Sequence, residues 1–294
     1  MAPSIDLPTD FYKPEETVFC NDGREDQLLS FITNHPQLPQ IRNSPEAVLA
    51  AIDEFGRTKD FLMNVGPHKG RLITDLIATD RPSTILEIGG YVGYSAIMFG
   101  HALRKAAATT GQTPRFLSLE MNPQFAAVSK ALVAIAGLDD IVDIWVGPCR
   151  ASLQRLAKGK TTTNTTATTT SSSSSSNSDS ATEARDMLFL DHSKISYLND
   201  LKLCEELGLV APGSTVVADD MKRPGNPQYS EYVRASPATK TEACLPFQGC
   251  LSDGGISLGN PSLVYETTLV EGLEPTGLMD AVEISKCVGL VEAI

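Results

Sequence analysis

The sequence predicts an α/β protein with a mostly parallel sheet, helices on both faces of that sheet, and an antiparallel edge at its C-terminal end. Short apolar runs alternate with segments of helical periodicity between residues 84 and 219. Parallel strands are apolar along their whole length because crossover helices cover both faces. The last 35 residues instead contain two runs joined by a loop with Pro275 and Gly277, and they predict a closing antiparallel pair, Ser262–Leu269 and Ala281–Cys287.

Helical segments come before the sheet. Ser44, Pro45 and Glu46 predict a helix start, because serine caps the first turn, proline fits it, and glutamate favours the positive end of the helix dipole. Apolar residues then recur at helical spacing until Gly56, the expected stop, and they are Val48, Leu49, Ile52 and Phe55. A second helix is predicted near residues 70–79.

The later elements follow from the same two patterns. Apolar runs predict five parallel strands, which are Thr84–Ile88, Arg115–Glu120, Ile141–Val146, Asp186–Asp191 and Ser214–Asp219. The segments between them predict four helices, which are Tyr94–Ala107, Phe125–Ala136, Ala151–Ala157 and Tyr197–Leu207.

A single domain, residues 27–294, is predicted after a flexible N-terminal arm, residues 1–26, which is polar and rich in proline. Within the domain, residues 161–182 are almost wholly threonine, serine, asparagine and alanine. Such a segment cannot bury enough apolar surface to offset its ordering entropy, so a disordered insertion is predicted there.

Composition excludes several functional classes. With 24 basic and 36 acidic residues, the net charge is −12, whereas nucleic-acid binding needs a positive field. No stretch approaches the ~20 apolar residues of a membrane span, and the N-terminus lacks the apolar core of a signal peptide. The six scattered cysteines fit reduced thiols. We expect a cytoplasmic monomer without nucleic-acid or membrane partners.

A glycine-rich turn follows the first predicted strand. In open parallel sheets, ligands bind beyond the carboxyl ends of the strands, and glycines let a ligand approach the backbone closely. The turn Gly89–Gly93 does not match the dinucleotide fingerprint G-x-G-x-x-G, because Tyr91 and Tyr94 stand where glycines are required. A purely structural turn fits this pattern equally well.

The second predicted strand ends in Glu120, 31 residues after Gly89. An acid at this position can accept both hydroxyls of a ribose. The alternative is an ordinary acid that caps the next helix, which would begin at Asn122 and Pro123.

Carboxylates also end the fourth and fifth predicted strands. Asp191 ends the fourth strand, and Asp219 and Asp220 end the fifth. Three carboxylates held together favour a hard cation such as Mg²⁺, which prefers oxygen ligands. Lys194 lies three residues beyond Asp191, in reach as a proton acceptor or a charge partner. The alternative is a set of solvated loop acids with a surface lysine.

Taken together, these residues resemble the catechol O-methyltransferase family. The matching stretches have the family's order and spacing, and they are Met63–Gly66, Leu86–Ser95, Glu120–Pro123, Phe189–Tyr197, and Ala218–Asp220 followed by Pro224-Gly225. The resemblance extends from about residue 27 to the C-terminus, apart from the threonine- and serine-rich insertion. It implies one Rossmann-like methyltransferase domain with a seven-stranded sheet. It further implies methyl transfer from S-adenosylmethionine to a hydroxyl of a catechol-type small molecule, with Mg²⁺.

The resemblance also implies the roles of single residues. Lys194 would be the general base, and Glu266 would contact the second catechol hydroxyl. The implied metal ligands are Asp191, Asp219 and Asp220. The implied cofactor-binding residues are Met63, Val65, Glu87, Gly89, Tyr91, Ser95, Glu120, Met121, Cys149, Asp191 and His192. The implied substrate-binding residues are Phe61, Lys194, Asp220, Pro224 and Glu266.

The chain departs from the family pattern at three positions in or near this predicted site. The family usually has asparagine where Asp220 stands, and tryptophan where Ser193 and Phe61 stand. Three rival functions remain open at this point. They are another metal-dependent phenol O-methyltransferase, a non-catalytic relative that binds the cofactor, and a nicotinamide oxidoreductase, against which the broken glycine fingerprint counts.

Overall fold

Each predicted strand is present, in the predicted order, and the described residues also contain two helices between the fifth and sixth strands that were not predicted. The computed structural model describes residues 11–14, 22–159, 184–245 and 256–291. Its strands are β1 (Thr84–Ile88), β2 (Arg115–Glu120), β3 (Val142–Val146), β4 (Met187–Leu190), β5 (Thr215–Ala218), β6 (Leu263–Leu273) and β7 (Met279–Leu290). Its helices are α1 (Arg24–Thr33), α2 (Leu38–Ile41), α3 (Pro45–Thr58), α4 (Gly66–Asp80), α5 (Tyr94–Thr110), α6 (Pro123–Ile135), α7 (Cys149–Ala157), α8 (Tyr197–Glu206), α9 (Pro227–Arg234) and α10 (Pro237–Cys244).

The strands form one seven-stranded sheet in the order β3-β2-β1-β4-β5-β7-β6. The first five strands in this order are parallel, whereas β7 runs antiparallel to both β5 and β6. The predicted parallel sheet with an antiparallel C-terminal edge is therefore confirmed. The hairpin strands are longer than predicted because they pair along their whole length up to the turn between Leu273 and Met279.

The sheet has a hydrophobic core on each face. On one face, β1 contributes Ile85 to a core shared with α1 and α3 to α6. On the other face, Leu86 and Ile88 pack with α7, α8 and α9. This alternation is the period-two geometry of a strand that is buried on both sides. No helix within the described ranges is both long and apolar enough to cross a membrane.

The N-terminal region is only partly described. Residues 1–10 and 15–21 of the predicted arm lie outside the described residues, as does the predicted insertion at 161–182. Where the arm is described, Tyr12 is 2% exposed and donates a hydrogen bond of 2.6 Å to Asp53 Oδ1. A Cβ at Gly56 would lie 2.5 Å from the Tyr12 ring. Gly56 therefore lies inside α3, where it makes room for this ring, instead of ending the helix.

The first helix begins at Arg24, three residues before the predicted domain start at residue 27. Arg24 and Glu25 are both buried, because Arg24 Nη1 donates to the Phe61 carbonyl at 2.7 Å and Glu25 accepts a hydrogen bond from Tyr91. Their charges made this segment look like part of a polar arm in the sequence.

Candidate active site

The carboxyl ends of the central strands meet at one edge of the sheet. The backbone ladder continues one residue beyond each strand, with N–H groups of Gly89, Asp191 and Asp219 donating to neighbouring strands at 2.9 to 3.0 Å. The residues that follow β1, β4 and β5 therefore start level with one another. This is the place where an open parallel sheet binds ligands.

The glycines of the turn after β1 are required by the packing of the protein itself. Gly89 has φ of 98°, and a Cβ there would lie 2.4 Å from the Asp191 carbonyl oxygen. Gly93 has φ of 87°, and a Cβ there would lie 2.4 Å from Ser129 Oγ. Both positions need glycine without any ligand. The glycine at position 89 is therefore not by itself evidence of a cofactor site, and such evidence has to come from the side chains around the turn.

Glu87, on β1, is the acidic side chain buried under this turn. Its Oε2 accepts a 2.5 Å hydrogen bond from Ser118 Oγ, whereas its Oε1 has no hydrogen-bond partner among the residues that the structure describes. Burial raises the pKa of Glu87 to about 7, although the hydroxyls of Ser118 and Ser95 act in the opposite direction. An unpartnered buried carboxylate oxygen costs free energy, and a cationic group of a ligand would satisfy it.

Glu120, at the end of β2, is held by two backbone N–H groups. Its Oε2 accepts from Tyr91 at 2.8 Å, and its Oε1 accepts from Asn122 at 2.7 Å. The cap of α6 is Asn122, whose Oδ1 accepts from Gln124 N. The capping role considered for Glu120 thus belongs to Asn122, and Glu120 instead fixes the turn after β1. The Tyr91 ring lies edge-on against Phe125.

A third group of side chains follows β4. The ring of His192 stacks on that of Tyr197, with centroids 5.0 Å apart, and His192 Nε2 lies 2.8 Å from Asp200 Oδ2. His192 Nδ1 is buried, and no residue in the described part of the chain forms a hydrogen bond with it. Burial and the nearby Asp200 carboxylate raise the pKa of the Cys149 thiol. Met121, which directly follows the carboxyl end of β2, is 73% exposed.

Lys194 lies between two of the predicted metal ligands. Its Nζ is 3.2 Å from Asp191 Oδ1, 2.8 Å from Asp220 Oδ2 and 2.6 Å from the Tyr197 hydroxyl. Burial raises the pKa of Asp191 to about 7, although the Lys194 charge opposes this. Burial alone would lower the pKa of Lys194, but the neighbouring carboxylates outweigh it and raise that pKa. Lys194 is therefore a cation in this arrangement.

A second lysine, Lys69 of α4, lies deeper in the same cluster and was not recognised in the sequence. Its fully buried Nζ contacts four carboxylates, namely Asp219 Oδ1 at 2.8 Å, Asp220 Oδ1 at 2.8 Å, Glu274 Oε1 at 2.6 Å and Asp280 Oδ2 at 2.8 Å. Burial would lower the pKa of Lys69, but these four charges raise it above its ordinary value.

The sequence did carry a signal for Lys69. The buried residues of α4 recur at helical spacing, and they are Gly66, Lys69, Gly70, Ile73 and Ile77. A lysine on the core-facing side of an amphipathic helix needs a buried partner, because an unpaired buried charge is prohibitively costly. The identity of that partner was not readable from the local pattern.

The whole cluster has more negative than positive groups. Five carboxylates, those of Asp191, Asp219, Asp220, Glu274 and Asp280, surround the two ammonium groups of Lys69 and Lys194. If all are ionised, three negative charges remain uncompensated. Burial, together with the neighbouring Asp220 and Asp191 charges, accordingly raises the pKa of Asp219 although Lys69 opposes it. A divalent cation would fit this donor set of oxygens and this charge imbalance.

Comparison with known proteins identifies the family of the chain. A methyltransferase domain family matches residues 86–221. The chain is 31% identical to the catechol O-methyltransferase of Bos taurus over 86% of this chain and 81% of that protein. It is 33% identical to the Mus musculus enzyme over 76% of this chain and 73% of that protein. The chain belongs to the catechol O-methyltransferase family.

As a member of this family, the protein is an S-adenosylmethionine-dependent O-methyltransferase. Its fold is also similar to that of an O-methyltransferase from Bacillus cereus solved in complex with SAH, with a TM-score of 0.51 and 18% identity over 90% of this chain and 96% of that one. The predicted Rossmann-like methyltransferase fold is thereby confirmed.

The structure does not bring Glu266 to this site. The side chain of Glu266 is exposed, and it pairs across the hairpin with Lys286, which pairs in turn with Thr215 at the beginning of β5. It therefore lies at the opposite end of the sheet. The hairpin does supply two acids to the cluster, Glu274, which follows β6 directly, and Asp280 of β7. The register of the hairpin could not be derived from the sequence, and β6 is longer than predicted.

Two of the predicted substrate-binding residues, Phe61 and Pro224, lie on loops next to the elements that carry the carboxylate cluster. Pro224 is exposed and follows a cis peptide bond in a turn tied to the site, since Gly225 N donates to the Asp220 carbonyl and Arg223 N donates to Asp280 Oδ1. Phe61 is 8% exposed on the segment that leads into α4. Met63 and Val65 lie on the same segment, half-buried and buried.

Proposed function

We propose that this O-methyltransferase transfers the methyl group of S-adenosylmethionine to one hydroxyl of a catechol-type substrate with the help of Mg²⁺. The observation that carries the proposal is the excess of carboxylates over ammonium groups around Lys194. The curated relatives of this chain are named catechol O-methyltransferases. An acid cluster that could hold a divalent cation, beside a lysine, fits a site in which the cation would lower the pKa of a substrate hydroxyl.

Two buried polar atoms support a cofactor site near the turn after β1. Among the described residues, Glu87 Oε1 and His192 Nδ1 have no hydrogen-bond partner. We assign the α-ammonium group of S-adenosylmethionine to Glu87 and the ribose to Glu120. The sulfonium of this cofactor supplies an activated methyl group.

The metal would be held by Asp191, Asp219 and Asp220. A divalent cation supplies Lewis acidity that lowers the pKa of a hydroxyl within its reach. These residues would orient two vicinal oxygens at the edge of the sheet. The same carboxylates keep Lys194 protonated. It would therefore accept a proton only if a bound cation neutralised their charge. The main contribution of the protein is orientation of acceptor and donor, which can supply roughly 7–11 kcal/mol.

The proposal is tested by methyl transfer from labelled S-adenosylmethionine to catechol and, as a matched control, to phenol. We expect transfer to catechol, loss of transfer with a chelator, and recovery with Mg²⁺. Asp219→Asn should lose the response to Mg²⁺, whereas Glu266→Gln, at the far end of the sheet, should keep it. Transfer that resists the chelator would contradict metal dependence, and equal rates on phenol would contradict the catechol assignment.

A further inference from the structure

Lys69 occupies a site that is shaped like a cation site. Carboxylate oxygens of Asp219, Asp220 and Asp280 lie within 4.8 Å of one another, close enough to share one metal ion. The Lys69 ammonium is 2.8 Å from an oxygen of each of these three residues. A buried ammonium at this distance from every member of the group takes the position that an ion would otherwise fill.

The surroundings of Lys69 are built to keep it there. Gly272 of β6 leaves room for the lysine stem, since a Cβ at Gly272 would lie 2.9 Å from Lys69 Cγ. Asp280 is fixed by its other oxygen, Oδ1, which accepts from the backbone N–H groups of Lys222 and Arg223 at 2.9 Å each. The Oδ2 of Asp280 is thereby aimed at Lys69.

Asp220 connects the two lysines. Its Oδ1 is 2.8 Å from Lys69 Nζ, and its Oδ2 is 2.8 Å from Lys194 Nζ. Contact with Lys69 therefore fixes the orientation in which the Asp220 carboxylate faces Lys194. The left-handed backbone of Asp220, with φ of 59°, is a conformation that aspartate tolerates better than most residues, and it sets the direction of this side chain.

We propose that Lys69 is a positioning residue that acts as a built-in monovalent cation. Its ammonium group fills the site between Asp219, Asp220 and Asp280. A divalent ion would then bind only on the side of Asp219 and Asp220 that faces Asp191, next to Lys194. The inference deepens the proposed function and rests on its metal site. A lysine at this position also binds the C-terminal hairpin to the site, through Glu274 and Asp280.

Removing the ammonium should open a second ion site. Lys69→Met keeps the length and apolar character of the stem but removes its charge. We expect this variant to bind one more Mn²⁺ ion per chain than the wild type, measured by titration with detection of free Mn²⁺ by electron paramagnetic resonance. The double variant Lys69→Met/Asp280→Asn lacks one of the three oxygen ligands and should lose the extra ion again.

The comparison separates this inference from the proposed function. A wild type that binds no Mn²⁺ would contradict the proposed metal dependence, yet a gain of one ion in Lys69→Met would still support the role of Lys69. Equal ion counts in wild type and variant would overturn the inference, whatever the wild type binds. If Lys69→Met is unfolded without metal, Mn²⁺ should refold it, because the ion replaces the lost charge. A variant that stays unfolded at saturating Mn²⁺ would also count against the inference.

Lys69→Arg tests whether position matters beyond charge. Arginine keeps the positive charge, but its planar fork is larger than a compact ammonium and cannot occupy an ion-sized site in the same way. We expect about tenfold weaker Mn²⁺ binding at the Asp191 side, in the range observed when the supporting partners of metal ligands are changed. Wild-type Mn²⁺ affinity in this variant would reduce Lys69 to a charge-balancing role and overturn its positioning role.

Discussion

The buried carboxyl group of Glu87 makes the stability of this protein depend on pH in a way that one substitution should remove. The pKa of Glu87 is about 7 in the folded chain, whereas its ordinary value is 4.5. As pH rises from 4.5 to 7, the unfolded chain releases this proton while the folded chain retains it, so unfolding becomes easier. Above pH 7 Glu87 is ionised in both the folded and the unfolded chain, so its effect on the free energy of unfolding does not grow further. The difference in pKa is equivalent to about 3 kcal/mol.

Glu87→Gln keeps an acceptor for the Ser118 hydroxyl but cannot ionise. We therefore expect the free energy of unfolding of the variant, relative to wild type, to increase by about 2 kcal/mol between pH 5 and pH 8. Urea unfolding of both proteins at the two pH values measures this difference, and other titrating groups cancel in the comparison. Glu266→Gln is the matched control, because it makes the same substitution at an exposed side chain.

The same variant should bind S-adenosylmethionine more weakly. If Glu87 pairs with the ammonium group of the cofactor, loss of the carboxylate should raise the dissociation constant at least about tenfold at pH 8, equivalent to about 1.4 kcal/mol. A stability difference that does not change with pH would refute the account of Glu87 burial. Unchanged cofactor affinity with the expected pH dependence would refute only its role as a ligand.

Three further expectations concern single side chains. Lys194→Met should lower turnover by about 100-fold while the affinity for S-adenosylmethionine, measured by calorimetry, changes little; near-normal turnover would remove Lys194 from the chemistry. Glu274→Gln should reduce kcat at least about tenfold in steady-state assays if Glu274 has the substrate-contacting role predicted for Glu266, whereas Glu266→Gln should not reduce kcat; the reverse order would restore the original assignment. Ser44→Ala should lower the free energy of unfolding by about 1 kcal/mol in urea, since Ser44 Oγ accepts from Ala47 N at 3.2 Å at the start of α3; no loss would show that this cap does not stabilise the helix.

Local patterns were sufficient to predict most of the fold. Every predicted strand is present, because alternation of apolar runs with helical periodicity reports directly on burial of each face. The strand ends also predicted that Asp191, Asp219 and Asp220 would lie at one edge of the sheet, since parallel strands end there. The carboxylates that lie within 4.8 Å of one another are those of Asp219, Asp220 and Asp280, whereas Asp191 is linked to Asp220 through Lys194. The start of α1 was mistaken for part of the arm because its first residues are charged, and the charges are buried only through partners that are distant in sequence.

The corrections in the site have one physical origin. Glu266 and Glu274 both lie in acidic stretches of the hairpin, and only the pairing register decides which of them reaches the cluster. Hairpin length and register depend on contacts with the rest of the sheet, so neither could be derived from residues 262–290 alone.

The sequence by itself determined the order of the strands along the chain, the carboxyl ends of the five parallel strands to within one residue, and membership of the catechol O-methyltransferase family. Only the tertiary structure decided that Lys69 holds Asp220, Glu274 and Asp280, which are separated from it by 151, 205 and 211 residues along the chain. Periodicity reports how each segment is buried, because burial is a property of the local helix or strand. Which buried charges meet depends on the order and register of the whole sheet, and these are set by packing between segments.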